Sequence, residues 1–412
     1  MISKFSRREI FKGAISIPFL IPKFVSPKLP TIGKRTLGRT GLKVSVLGIG
    51  AVGGNPTPLF HAALDAGVNL LDTAKAYGRD EIRKRPIVKA RRKEIILCSK
   101  TYINPFGKTP EKLKSLVKKD CERSLKRLGT DYLDIYHLHA AGHIAWKPEY
   151  SPFLDALEEL KKEGKIRFVG ISTHRGAGSY KDLIKTLDTG RIDVCLLAYN
   201  FLHPKHIFDK IFEAAKRNGT GIIAMKVTAG NIKEEYLLDR TVIWRDEFNY
   251  IRKLWKLLPR LKPHIKKGRS LAAVGLKWSL QNKNVSSALS GLKNFKELKE
   301  NLEAASEAEK PLNKKEKQVL IEYKEKAGQY VCRLCGKCKG KCKAGVNLPE
   351  AGRSALYLEG YLNKEKALYL QKSLPPKERV TNCIGCQSSK NICPFGVNIH
   401  DRVKTVKEIL FG

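Results

Sequence analysis

The chain has 412 residues, enough for a (β/α)8 barrel of about 250 residues and a second module. Its 79 Lys and Arg against 40 Asp and Glu leave a net charge of +39, a balance that attracts polyanions and anionic surfaces. The charge is spread as lysine over amphipathic stretches such as Glu111–Lys126, with no basic arm or aromatic-interleaved patch. No nucleic-acid partner is therefore expected. A general lysine habit accounts for the charge first, and association with a membrane surface second. No stretch reaches the roughly 20 apolar residues of a spanning helix.

Residues 1–33 read as a signal and linker. Ser6-Arg7-Arg8-Glu9-Ile10-Phe11-Lys12 is similar to the twin-arginine export signature, with Ile-Phe where Phe-Leu is commoner. The apolar run Gly13–Pro22 that follows is too short to cross a bilayer. The segment predicts export by the twin-arginine route to a periplasmic or other extracytoplasmic compartment. No clear small-residue cleavage site follows, so an uncleaved membrane tether stays open.

From residue 34 to about 310 the pattern alternates strand and helix, as a parallel barrel requires. A helical run from His61 to Gly67 leads into the strand Val68–Leu71, then Asp72-Thr73-Ala74-Lys75-Ala76-Tyr77-Gly78. The next strand, Ile95–Lys100, ends in a lysine, and Tyr132–His139 ends in a histidine. Asp72, Tyr77, Lys100 and His139 thus fall at the carboxyl ends of consecutive strands, where barrel enzymes keep their chemistry. His137 is the competing imidazole. His139 is preferred because, after Asp134-Ile135-Tyr136-His137-Leu138, it takes the place of the histidine in the family that this constellation resembles, and it points to the same face as Tyr77 and Lys100. This constellation resembles the aldo-keto reductase family, as does the opening Lys34–Ser45, which matches the family's amino-terminal hairpin. The resemblance implies that Tyr77 is the general acid–base, with Lys100 as the cation that tunes it. Asp72 would hold the lysine, and His139 would orient the carbonyl. Reducing a carbonyl requires a proton on the oxygen as charge builds there, and a phenol titrating near pH ~10 needs a neighbouring cation to help.

Further strands are expected at Arg167–Ser172, the fifth, then at Val194–Asn200, Gly221–Lys226 and Ser286–Gly291, with helices such as Pro152–Glu163 and Pro204–Arg217 between them. The long segment Asn231–Lys267, with Trp244 and Trp255, is expected to add a helix beside the substrate mouth. The resemblance carries nucleotide contacts over residue by residue. Ser172 and Thr173 stand where the family touches the nicotinamide carboxamide. Asn200 closes the sixth strand, Leu196 replaces a common glutamine, and Met225 takes the place of a stacking tyrosine. Gly291 and Lys293 precede the helix Phe295–Glu303, whose amino end offers N–H groups to a phosphate. Lys293 favours NADP(H) over NAD(H), against Glu297 one turn inside. Glu300 and Asn301 match the family's adenine-side pair.

Residues 311–412 differ in kind. Asn313-Lys314-Lys315-Glu316 predicts a capped helix start. Beyond it lie Cys332, Cys335, Cys338 and Cys342 in a C-x2-C-x2-C-x3-C run, then Cys383, Cys386 and Cys393-Pro394. The first run has the spacing of [4Fe–4S] ligation, with Lys343 where a proline is usual. Leu348–Leu374 is helical in pattern, so the tail resembles an α-helical ferredoxin. Zinc and a disulfide framework are the alternatives, and both suit the spacing less well. Ser389 stands where a third cysteine of the second run is expected. If the last cysteine of each run serves the other cluster, Cys332, Cys335, Cys338 and Cys393 complete one set. Cys342, Cys383 and Cys386 leave the other with three thiolates. A three-iron cluster, a cubane with a serine or water ligand, and no second cluster all stay open. Cys98, Cys121 and Cys195 are read as core residues.

The expectation is a TIM barrel followed by a small α-helical ferredoxin-like domain. Together they interconvert a small-molecule carbonyl and alcohol with NADP(H) and pass electrons to a redox-protein or quinone-linked partner. The alternative is an exported electron-transfer protein whose barrel is a non-catalytic scaffold.

Overall fold

The computed structural model describes residues 29–50, 57–103, 107–174, 180–203, 205–227, 269–292, 294–327, 332–333, 335–360, 364–389 and 391–412. Arg7, Arg8, Lys293 and the segment Asn231–Lys267 lie outside the described residues.

The chain opens with the antiparallel hairpin β1 (Lys34–Thr36) and β2 (Lys43–Ser45). Eight parallel strands then close on themselves: β3 (Leu47–Ile49), β4 (Leu70–Asp72), β5 (Ile96–Thr101), β6 (Leu133–Leu138), β7 (Ile166–Thr173), β8 (Val194–Ala198), β9 (Gly221–Met225) and β10 (Ser287–Ser290). β10 pairs with β3 to complete the ring. Around it run α1 (Thr57–Asp65), α2 (Asp80–Arg91), α3 (Pro110–Leu128), α4 (Ser151–Lys162), α5 (Tyr180–Asp188), α6 (Lys205–Arg217), α7 (Leu271–Leu280) and α8 (Phe295–Ser306). The expected strands agree to within a few residues. β3, three residues beside a glycine-rich run, is too short to show a period.

Strand parity decides what enters the barrel, because successive side chains point to opposite faces. Leu70, Ile96, Cys98, Ile135, Leu196 and Met225 share the inner core with Leu37 of the hairpin. Their neighbours Leu71, Leu97, Tyr136 and Leu197 pack outward against the helices. By the same alternation Asp72, Lys100 and His139 follow the inner row to the rim. Gly170 makes room for this interior. A Cβ there would stand 2.3 Å from His137 Nδ1.

The tail comprises α9 (Lys314–Ala327), α10 (Leu348–Ala355), a π-turn at Leu356–Gly360, α11 (Lys364–Lys372) and α12 (Ile399–Phe411). The Asn313 cap is reciprocal: Glu316 N–H donates to Asn313 Oδ1 and Asn313 N–H to Glu316 Oε2, each at 2.9 Å. Of the run expected to be helical from Leu348 to Leu374, α10 runs on into the π-turn and α11 follows, with 361–363 outside the described residues. Val346, Leu358, Val380, Val403 and Val406 build a small core of the tail's own, with Cys338 inside it. No helix among the described residues is long and apolar enough to cross a membrane.

Candidate active site

Lys100 and Asp72 form the floor of the site. Lys100 Nζ donates to both Asp72 oxygens at 2.6 Å and to Thr73 O at 2.7 Å, with the lysine 1 % and the aspartate 4 % exposed. Burial raises the Asp72 pKa, and Lys100 opposes that rise. Beside this pair sits a second one that the sequence reading passed over. Lys84 Nζ donates to Asp80 Oδ2 at 2.6 Å and to Gly50 O at 3.1 Å, and Thr73 Oγ1 donates to the same carboxylate at 2.7 Å. The signal for it was a lysine four residues after an aspartate on the inner side of α2. Asp72, Cys98 and His137 also bring ligand atoms within 4.8 Å of one another. With Lys100 already on both carboxylate oxygens, an ammonium occupies the cation's place there.

Tyr77 stands over this floor. Its ring lies edge-on to His139 with centroids 5.8 Å apart, and Lys100 Nζ is 5.0 Å from its centroid. His139 lines the mouth, whereas His137 is fully buried and directs Nδ1 to Ile171 O at 3.2 Å. The structure therefore gathers all four expected residues and puts His139, not His137, within reach of a ligand. One expectation changes. Burial, then Asp72 and Asp80, push the Tyr77 hydroxyl well above its usual pKa, because the Lys100 charge is already compensated. His139 is pushed well below the usual imidazole range, by burial first and then by Lys100. It is a neutral ring at neutral pH.

The expected nucleotide residues form a looser set. Ser172 Oγ accepts from Ala140 N–H at 2.8 Å, and Thr173 is buried beside it. Both ends of the Asn200 amide are engaged: Nδ2 donates to Lys226 O at 3.0 Å and Oδ1 accepts from Leu202 N–H at 3.1 Å. Met225 and Leu196 lie in the inner core. Gly291 is exposed before α8 and Glu300 is half-buried on it. Asn301 Nδ2 donates to Ser290 Oγ at 3.0 Å.

No signal in the sequence pointed to the roof. The tail lies across the barrel mouth. Tyr357 of the π-turn and His174, just past β7, bring Oη and Nε2 to 3.3 Å. Tyr369 meets Tyr102 edge-on at 5.3 Å. Lys366 Nζ sits 3.9 Å above the Tyr77 ring. With Arg353 on the same wall, the space left is about 10 Å³, the room one water needs. Farther out, Tyr323 of α9 meets Phe201 of the barrel, and Glu316 joins Lys277 and Arg269. His174 could have been noticed as the next rim position after Thr173. Arg353, Tyr357 and Lys366 reach the site only through tertiary packing.

The sequence pattern of the aldo/keto reductase family matches residues 57–320. The chain belongs to this family. As an aldo-keto reductase, it is an oxidoreductase built on the parallel eight-stranded barrel. L-Galactose dehydrogenase of Arabidopsis thaliana is 29% identical over 294 residues, covering 67% of this chain and 88% of that protein. The NADH-specific methylglyoxal reductase of Escherichia coli is 26% identical over 317 residues, covering 66% and 93%. Among solved structures, a Bacillus halodurans aldo-keto reductase in its holo form is similar, with TM-score 0.53 and 28% identity. The match covers 71% of this chain and 96% of that one. The cysteine run that begins at Cys332 lies beyond the family match.

Proposed function

We propose that this aldo-keto reductase interconverts a small carbonyl and its alcohol with NADP(H), and couples that reaction to electron transfer through iron–sulfur clusters in its tail. Nicotinamide, when bound, supplies or takes the hydride at the carbonyl carbon. Tyr77 gives its phenolic proton to the carbonyl oxygen. The Lys100–Asp72 pair fixes the floor beneath it, and neutral His139 turns the oxygen toward the phenol. Buried Nδ1 atoms of His139 and His174 have no hydrogen-bond partner among the described residues, as fits a site awaiting a ligand. The tight Lys100–Asp72 pair beside Tyr77 weighs against a barrel kept only as a scaffold.

One observation carries the coupling. Helix α10 touches both halves: a Cβ on Gly352 would stand 3.1 Å from Cys332 Sγ, while Arg353, and Tyr357 in the π-turn that continues α10, line the same space as His139. Gly352 and Tyr357 are five residues apart, roughly 7–8 Å along a helix. A cluster adds one-electron capacity. Cys332, Cys335, Cys338 and Cys393 would hold the first, and Cys342, Cys383 and Cys386 the second, with buried Ser389 beside them in sequence. None of these seven described cysteines is joined in a disulfide.

Anaerobic addition of NADPH to the cluster-loaded protein is expected to bleach the cluster absorption. An unchanged spectrum while a carbonyl is reduced would defeat the coupling, and a colourless zinc protein would remove the electron-transfer half. Gly352→Ala crowds Cys332, so iron per chain should fall by roughly half, one cluster of two. Full iron content in that variant would mean that α10 does not bear on the ligand set.

The reading includes export through the twin-arginine route, since such a protein travels folded with its cofactors in place. Changing Arg7 and Arg8 to Lys together should leave the protein cytoplasmic with clusters intact. Continued export would point to another route.

A further inference from the structure

The loop that carries Tyr77 runs from Thr73, just past β4, to Asp80, the first residue of α2. One side-chain hydrogen bond joins its two ends: Thr73 Oγ1 donates to Asp80 Oδ2 at 2.7 Å. Inside that closure the backbone turns tightly. Tyr77 N–H donates to Ala74 O at 2.9 Å, and Asp80 N–H donates to Tyr77 O at 3.2 Å. Gly78 takes φ 60°, a left-handed conformation open to glycine at little cost. Asp80 therefore grips the loop twice, at Thr73 through its carboxylate and at Tyr77 through its amide.

Lys84 in turn holds Asp80. Its Nζ donates to Asp80 Oδ2 at 2.6 Å and to Gly50 O at 3.1 Å, with the two side chains 0 % and 3 % exposed. Gly50 N–H donates to Ser290 O at 2.9 Å, so Lys84 ties α2 to the seam where β3 meets β10. A pair shut away from water is costly to break, because the survivor is left as a stranded charge. On its other side, Thr73 N–H donates to Cys98 O at 3.0 Å, and Thr73 O accepts from Lys100 Nζ at 2.7 Å. Thr73 is thus the joint between the floor pair and the Asp80–Lys84 pair. The same device recurs on β5. Ser99 Oγ donates to Glu81 Oε1 at 2.6 Å, and Thr101 Oγ1 to Asp120 Oδ2 at 2.9 Å. Buried helix carboxylates thereby hold the residues on either side of Lys100 as well. By strand parity these hydroxyls face the helices while Asp72 and Lys100 face inward.

We infer that Asp80 and Lys84 are positioning residues for the proton donor: they fix Thr73 and the turn at Tyr77, so that the phenol stands at one place over the Lys100–Asp72 floor. This rests on Tyr77 as proton donor to the carbonyl oxygen. The pair acts through Thr73 and Tyr77. Its carboxylate also weighs on the proton itself, since burial first, then Asp72 and Asp80, hold the phenol well above its usual pKa. The other titratable groups around the ring among the described residues are Lys100, His139, Tyr357 and Lys366. None of them is altered in the variants that test the pair.

Full-length, cluster-loaded protein is assayed with NADPH and 4-nitrobenzaldehyde, and 3-fluorotyrosine in place of Tyr77 reports on the ring by fluorine NMR. Thr73→Val removes the hydroxyl that Asp80 holds. It should lower kcat by roughly tenfold to a hundredfold, the effect of a small misplacement, with KM and NADPH affinity near wild type. Its fluorine signal should broaden or split. Thr73→Ser restores the hydroxyl and should behave as wild type. Asp80→Asn/Lys84→Met removes both charges together, so neither is stranded. In that variant the fluorophenol should titrate at lower pH, because the carboxylate that favours the neutral phenol is gone. Reduction needs the phenol protonated, so the alkaline limb of kcat should move to lower pH with it. A wild-type kcat and fluorine signal in Thr73→Val, or an unmoved titration in the double variant, overturns the inference and leaves the reductase reading intact. A loss of kcat that Thr73→Ser shares also overturns it. Fluorine signals that respond as expected, in a protein that does not reduce the aldehyde, uphold the positioning role while the reductase reading fails.

Discussion

Tyr77→Phe is expected to lower kcat/KM for carbonyl reduction by about 10²–10⁴-fold, the range a positioned acid contributes. The ring would stay in place, because its contacts are aromatic and cationic: His139 at 5.8 Å, Lys100 at 5.0 Å and Lys366 at 3.9 Å between centroids or from ammonium to centroid. Only the proton is removed. With burial and the two aspartates holding the phenol well above its usual pKa, wild type keeps that proton ready across the neutral range. The variant's NADPH affinity, read by quenching of tryptophan fluorescence, should match wild type. A turnover number unchanged by the substitution would remove Tyr77 from its role.

Lys100→Met should be the most damaging single change to the fold of the site. It leaves the Asp72 carboxylate 4 % exposed without the ammonium that takes both its oxygens. A broken buried pair costs about 3–5 kcal/mol. In a domain of this size that is a fall in melting temperature of roughly 10 °C. The double variant Asp72→Asn/Lys100→Met removes the stranded charge and should regain most of that loss while staying inactive. Thermal melts of the three proteins check it. Equal melting temperatures for the single and double variants would mean that the stranded carboxylate is not the cause.

The floor of the site was legible because each of its members ends a strand and obeys a period of two. Asp72 follows Leu70, Lys100 follows Cys98 and His139 follows His137, so local pattern alone sends them inward. The Asn313–Glu316 cap was legible for the same reason, its signal lying within four residues. The roof was not. Nothing near Lys366 in the sequence indicates that it will sit above Tyr77, because that contact arises from docking two separately packed cores. Asn200 shows a different limit. A strand-end asparagine reads as a ligand contact, and its amide also holds Leu202 N–H two residues on and Lys226 O, the latter a partner visible only once β9 lies alongside. β3 was missed because three residues carry no period.

The roof over the mouth also sets an order of manufacture. Synthesis runs from the amino end, so β10 can close the ring against β3 before residues 348–370 have left the ribosome. A newborn barrel is thus a complete fold with an open mouth, its floor already wired. The last quarter of the chain must then acquire its own small core around Cys338 before Tyr357 and Lys366 can be set down on Tyr77. Any factor that delays maturation of the cysteine-rich segment leaves a well-folded molecule whose reaction chamber has no ceiling. The finished enzyme would then be completed at the maturation of that segment, not at the folding of the barrel.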